Sequence, residues 1–266
     1  MITINEKQVK VGNFPDGTLM LKFTPDTVIA ENPYLRFNWY YENDAELFTL
    51  MCLAKKYADY PKTLCMPYCP HARMDRVKND EDTFTLKYFC EVINSLNFES
   101  VEILDVHSNV TLALLDHVKN FEPKYEVETV LNELSDKEPL LFFPDEGAMK
   151  RYSTLFNLPY AFGMKKRNWE TGKIEGLDII NKDLVKDRNI LIIDDICSKG
   201  GTFFHAAKAL KEAGANKIYL YISHAERTMT DGDMYIDPDL VEHIYTTNSL
   251  FKPEWDVLNK VTVIEF

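Results

Sequence analysis

Ile190, Leu191, Ile192 and Ile193 form an unbroken apolar row, and Asp194 and Asp195 follow directly. A strand with one wet face alternates apolar and polar residues. An unbroken row instead fits a strand covered on both faces, as in the middle of a parallel sheet. Acids just after such a strand stand at its carboxyl end, where open α/β sheets hold their ligands. Ser198, Lys199, Gly200, Gly201 and Thr202 come next, and a helix is expected over 203–213, closed by Gly214. The free N–H groups of a helix start after such a loop make an anion site. Two carboxylates beside a phosphate cradle suit a ligand with both hydroxyls and phosphate, such as a phosphorylated ribose. The plainer alternative is an Asp pair capping a loop, with the glycines serving only a turn.

Strand and helix patterns alternate along the rest of the chain. In the first half, strands are expected at 27–29, 63–66 and 101–106, and helices at 44–57, 83–96 and 110–117. In the second half, strands are expected at 140–143, 160–164, 189–193, 217–223 and 261–265, with helices at 148–156 and 203–213. Such alternation implies α/β architecture, with parallel sheets flanked by helices. Two similar lobes account for the repeat better than one doubly wound sheet. The boundary is expected in the charged stretch 120–138, which divides the chain into 1–125 and 126–266.

The chain has 266 residues and a formal net charge of −12, which argues against a general nucleic-acid binder. Cys52, Cys65, Cys69, Cys90 and Cys197 are scattered with no metal-ligand spacing, so reduced, mostly buried thiols are expected. The polar N-terminus is no signal peptide, and no apolar run approaches a membrane span. A cytoplasmic protein without a membrane partner is the expectation.

Four further motifs stand in order. Residues 66–76 read MPYCPHARMDR, with Arg73, Asp75 and Arg76 at a strand's carboxyl end. The strand VEILDV runs into His107. Pro144, Asp145, Glu146 and Gly147 close another strand, with Lys150 and Arg151 beyond. Residues 163–168 read GMKKRN. Together with the loop at 194–202, these closely resemble the ribose-phosphate pyrophosphokinase family, whose members make phosphoribosyl diphosphate. The resemblance runs over residues 14–225. The family pattern is P-Y-x-x-x-A-R-x-D-R, D-x-H-S, P-D-x-G-x-x-x-R, K-R-R and a DD…GGT loop.

The resemblance implies two type I phosphoribosyltransferase-like lobes, each a mostly parallel sheet flanked by helices. ATP-site motifs fall in the first lobe and the ribose-phosphate loop in the second. Phe14, Pro15, Asp16 and Gly17 resemble a loop that reaches a neighbouring subunit's ATP, which implies a homo-oligomer of at least two chains. Arg73, Asp75 and Arg76 resemble the ATP segment, and His107 and Asp145 the metal-side residues for Mg2+. Lys165 and Arg167 resemble a basic flexible loop of catalytic importance, alongside His107. Asp194 and Asp195 resemble the acids that hold ribose hydroxyls, with Ser198, Lys199, Gly200, Gly201 and Thr202 on the 5-phosphate. Read alone, residues 14–17 are a hairpin turn, and Arg73, Asp75 and Arg76 are equally a surface salt-bridge cluster. Likewise Asp145 is a helix cap, and residues 165–167 a solvated basic patch. His71, His117, His205, His224 and His243 belong to no constellation and read as structural.

The implied chemistry is diphosphoryl transfer from ATP, with AMP leaving. It needs in-line positioning and charge neutralisation, and no covalent intermediate. Lys165 and Arg167 would stabilise the transferring group, and loss of one such donor typically costs about a hundredfold or more. A magnesium ion carried by ATP keeps several waters, so few protein ligands are expected.

Several residues depart from the family. Thr18 stands where the family has Glu, Met74 where it has Gln, and Ser198 and Lys199 where it has Asp and Thr. The chain stops at Phe266, directly after its last expected strand, where typical members continue into a further helix. The changed loop exchanges a negative charge for a positive one. That favours a bulkier or more anionic 5-substituent, as in a phage branch of the family that uses ADP-ribose in NAD metabolism. A phosphoribosyltransferase, or a catalytically silent partner of active synthetases, remains the rival reading.

Overall fold

A computed structural model of the chain describes residues 1–25, 34–167 and 174–266, and the side chains of residues 165–167 and 174–176 lie outside that description. The strand expected at 27–29 also lies outside the described residues. The chain divides into two compact units, Met1–Glu122 and Pro123–Phe266.

In the first unit, β1 (Ile2–Ile4) folds back antiparallel on β2 (Lys7–Gln8), and β3 (Val11–Asn13) pairs with β4 (Leu19–Leu21) in a separate hairpin. β5 (Leu35–Trp39) is followed by α1 (Ala45–Lys56), β6 (Lys62–Cys65), α2 (Thr85–Asn94), β7 (Ser100–Leu104), α3 (Asn109–Leu114) and β8 (Val118–Phe121). The sheet has the order β2-β1-β5-β6-β7-β8, and β5 to β8 are mutually parallel. Leu86, Phe89, Cys90 and Ile93 recur at helical spacing along α2, so one stripe of that helix is buried. That stripe joins Phe37, Leu64 and Ile103 from the strands and Leu50 and Leu53 from α1 in one core.

The second unit opens with α4 (Lys124–Glu133), so the charged stretch between the two blocks holds a helix whose buried face includes Val127 and Val130. There follow β9 (Leu140–Phe143), α5 (Glu146–Tyr152), β10 (Tyr160–Arg167), β11 (Ile174–Ile180), β12 (Ile190–Cys197), α6 (Gly201–Glu212), β13 (Ile218–Ala225), α7 (Asp233–Ile236), β14 (His243–Thr247) and β15 (Val261–Ile264). The seven-stranded sheet has the order β11-β10-β9-β12-β13-β14-β15 and is parallel except at the β10–β11 pair. The apolar row on β12 is buried from both sides. Ile190 and Ile192 join the core with Phe203, Ala206 and Leu210 of α6, whereas Leu191 and Ile193 join the opposite core with Val127 and Tyr152.

Two elements differ from expectation where the site begins. β12 continues past Ile193 to Cys197, so the two acids lie within the strand, held in register with β13 through Asp194↔Ile222 and Ile196↔His224. β10 runs on to Arg167, so the backbone of the expected basic loop pairs with β11, with a register shift between Lys166 and Arg167. All five cysteines are unpaired, and all but the half-buried Cys52 are buried. No described helix is long and apolar enough to cross a membrane.

Candidate active site

Within the second unit, β12 and β9 bring three acids and one base together. Asp194 is half-buried, and the Asp195 amide donates to its Oδ1 at 3.0 Å. Burial, then the negative charges of Asp195 and Asp145, hold the Asp194 carboxyl well above the usual carboxylate range. Asp195 is buried and ion-paired: Arg151 Nη1 donates to its Oδ2 at 2.7 Å. Asp145 is the N-cap of α5, and its Oδ1 accepts from the Ala148 amide at 3.0 Å. Of the residues singled out from sequence, Asp145, Asp194 and Asp195 thus form one acidic group. Arg151, which pairs with Asp195 across 44 positions, closes the P-D-x-G-x-x-x-R pattern but had no role assigned to it from sequence.

The strand end turns into α6 through Gly200, whose φ of +76° lies in the left-handed region that glycine adopts freely. Gly201 begins the twelve-residue helix, and Lys199, Gly201 and Thr202 are exposed while Ser198 is half-buried. The first amides of α6 have no partner earlier in the helix, which leaves donors for an anion at this mouth.

In the first unit, the loop after β6 carries Arg73, Asp75 and Arg76. Arg73 is exposed. Arg76 grips Asp75 with two bonds, Nε to Oδ1 at 2.6 Å and Nη2 to Oδ2 at 2.7 Å. Ser108 Oγ donates to the same Oδ2 at 2.6 Å. Arg76 foremost, then Ser108, hold the Asp75 carboxyl down to about 2 against the opposing effect of burial. Ser108 also caps α3 by accepting from the Val110 amide at 3.2 Å. It sits beside half-buried His107, whose charge acts on Asp75 in the same sense. Asp75, Arg76, His107 and Ser108 therefore share one end of β6 and β7.

Residues 14–18 form the tip of the β3–β4 hairpin, with Phe14 51% exposed. Asp16 Oδ1 accepts from the Thr18 amide at 3.0 Å and from its hydroxyl at 2.7 Å, and Gly17 has φ +85°. Thr18 thus does a local job in the turn. The side chains of Lys165 and Arg167 lie outside the described residues. Of the other histidines, His71 contacts Asp44 at 3.1 Å and the Phe89 ring, buried His224 bonds Ser249 at 2.8 Å, and His243 bonds Thr262 at 2.8 Å.

The family model for the phosphoribosyl transferase domain matches residues 146–252, which take in α5, β12, the glycine turn and α6. The ribose-phosphate pyrophosphokinase of Pyrococcus abyssi is 24% identical over 97% of this chain and 88% of its own length. That of Haemophilus ducreyi is 26% identical over 96% of this chain and 82% of its own length. Over nearly its whole length the chain is therefore similar to ribose-phosphate pyrophosphokinases. A solved structure of phosphoribosylpyrophosphate synthetase from Mycobacterium smegmatis has the same fold. It is 17% identical with a TM-score of 0.77, covering 97% of this chain and 86% of that one. Both groups of residues lie in the carboxyl-terminal part of parallel strands or just beyond it, β6 and β7 in one unit and β9 and β12 in the other.

Proposed function

We propose that the chain transfers the β,γ-diphosphate of ATP to the anomeric hydroxyl of a 5-phosphorylated ribose. The anomeric oxygen bonds to the β-phosphorus, the bond to the bridging oxygen of AMP breaks, and the hydroxyl proton is released. The observation that carries this reading is the run of β12 through Asp194 and Asp195 into the left-handed turn at Gly200 and the start of α6. Asp194 and Asp195 hold ribose hydroxyls, and the amides of Ser198, Lys199, Gly200, Gly201 and Thr202 hold the phosphate. A raised carboxyl at Asp194 is what a cluster poised for hydroxyls or a cation has before it is filled. Arg151 holds the Asp195 carboxylate in place through its 2.7 Å ion pair.

On the nucleotide side, Arg73 and Arg76 contact ATP while Asp75 fixes the Arg76 guanidinium by its bidentate grip. Phe14 and Asp16, on the exposed hairpin tip, serve a neighbouring subunit's nucleotide, so at least a dimer is expected. Lys165 and Arg167 neutralise the transferring group.

The described residues hold no set of three or more His, Cys, Asp or Glu that could cage a metal. A magnesium ion that arrives on ATP with most of its waters needs no cage, and the oxygen-rich Asp145 cluster suits such a hard cation. Asp145 would help to hold it within the second unit, and when bound it would supply charge neutralisation at the phosphate oxygens.

Lys199, exposed on the phosphate loop, and Ser198 beside it make the mouth more positive than the family pattern. That favours ADP-ribose over ribose 5-phosphate as acceptor, giving ADP-ribose pyrophosphate. Mass spectrometry of products from magnesium ATP with each acceptor tests both levels. AMP with ADP-ribose pyrophosphate is expected. AMP formed with ribose 5-phosphate alone would reverse the choice of acceptor, and no AMP with either would sink the proposal.

A further inference from the structure

Behind the phosphate loop runs a segment, residues 226–237, to which none of the motifs assigns a role. It is fastened at its start, where the Glu226 amide donates to the Cys197 carbonyl at 2.8 Å. Gly232 is buried against the loop itself. A Cβ at that position would lie 2.1 Å from the Lys199 carbonyl oxygen and 3.0 Å from its carbon. The φ of Gly232 is −92°, which any residue adopts, so contact and not conformation demands glycine there. Met234 completes the wall: a Cβ at Gly200 would lie 3.1 Å from Met234 Cε and 3.3 Å from its Sδ.

The wall is itself braced from far along the chain. The Tyr235 hydroxyl donates to Asp256 Oδ1 at 2.8 Å and accepts from the Leu258 amide at 3.0 Å. The buried Lys260 ammonium donates to the carbonyls of Tyr235 at 3.1 Å and Asp237 at 2.9 Å. Asp256 also accepts from the amides of Lys260 and Val261, at 3.1 and 2.9 Å. Buried partners of this kind are costly to separate, because each would be left unsatisfied. The wall therefore presents a fixed surface to the loop.

We infer that Gly232 and Met234 set the curvature of the phosphate loop, and that Gly232 is a positioning residue for the acceptor's phosphate. The inference rests on the reading of residues 198–202 as the phosphate cradle. A cradle of backbone amides works only while its donors converge, and a displacement of about 1 Å at a positioned group costs roughly a hundredfold. A methyl at Gly232 cannot be placed without moving the Lys199 carbonyl, and with it the amide of Gly200.

The test compares wild type with Gly232→Ala and, as a change that removes wall instead of adding to it, Met234→Ala. Binding of ribose 5-phosphate and of ADP-ribose is measured by calorimetry without ATP, and KM is measured for each substrate in turnover. In Gly232→Ala, acceptor Kd and KM should rise about tenfold or more, with KM for ATP moving by less than about twofold. Met234→Ala should weaken acceptor binding in the same selective way. If either variant, folded by near-ultraviolet circular dichroism, binds acceptor like wild type, the inference falls. An equal rise in KM for ATP overturns it as well, since that is general distortion. Wild type that binds sugar phosphate but forms no AMP sinks the diphosphokinase reading alone, and the calorimetric comparison still decides the wall. Wild type that binds neither acceptor sinks both.

Discussion

Asp75 is gripped from two directions, by Arg76 next to it and by Ser108 at the end of a neighbouring strand. Its folded value of about 2 lies below the roughly 3.9 of an unfolded aspartate. A carboxyl lowered on folding stabilises the fold above the unfolded value, so this contribution is whole above about pH 4 and is lost as pH falls towards 2. Carbon-detected NMR titration should place the Asp75 midpoint near about 2, and Ser108→Ala should raise it. A wild-type midpoint at the ordinary value would contradict the arrangement. These partners also show why the site was only half legible in the chain. Asp75 and Arg76 are neighbours and stood out as a motif. The Ser108–Asp75 and Arg151–Asp195 contacts join residues 33 and 44 positions apart, and no local pattern announces such a pairing.

Gly163 shows how an element positions the acids. It lies on β10, and a Cβ there would stand 2.7 Å from the Pro144 carbonyl oxygen and 2.8 Å from Leu177 Cδ1. Gly163→Ala should therefore overpack the β9–β10–β11 edge at a cost of about 1–3 kcal/mol, read by denaturant unfolding, while shifting Pro144 and the adjacent Asp145. A loss within experimental error would show that the edge yields freely. The strands legible from sequence were those covered on both faces, such as β9 and β12, where every side chain is apolar over several residues. Others went unseen for physical reasons. β8 leaves Lys119, Asn120 and Phe121 exposed, and β14 buries Thr246 and Thr247, so neither shows the apolar pattern that marks a strand. β12 outran its expected end because the acids keep strand geometry as far as Cys197.

At the scale of the molecule, each unit has a core of its own. One is built on β5 to β7 with α1 and α2, and the other lies on both faces of the β9–β12–β13 sheet. A separately produced 123–266 fragment should consequently fold, with a cooperative thermal transition and a near-ultraviolet signal. A broad, non-cooperative melt would show that its core depends on the first unit. The alternation of strands and helices made the division into two lobes legible. The antiparallel additions β1, β2 and β11 were not, because short or edge strands leave little pattern behind.

Burial acts on the thiols throughout both units. It pushes Cys65 up to about 11 and Cys90 up to about 12, and raises Cys69 and Cys197 as well. Thiolate is the reactive form, so these four sulfurs are chemically quiet near neutrality. Only Cys52, on α1, retains access to solvent. A maleimide dye offered to the native chain would settle on that one helix, a ready-made fluorescent handle on the first unit that needs no engineering of the sequence.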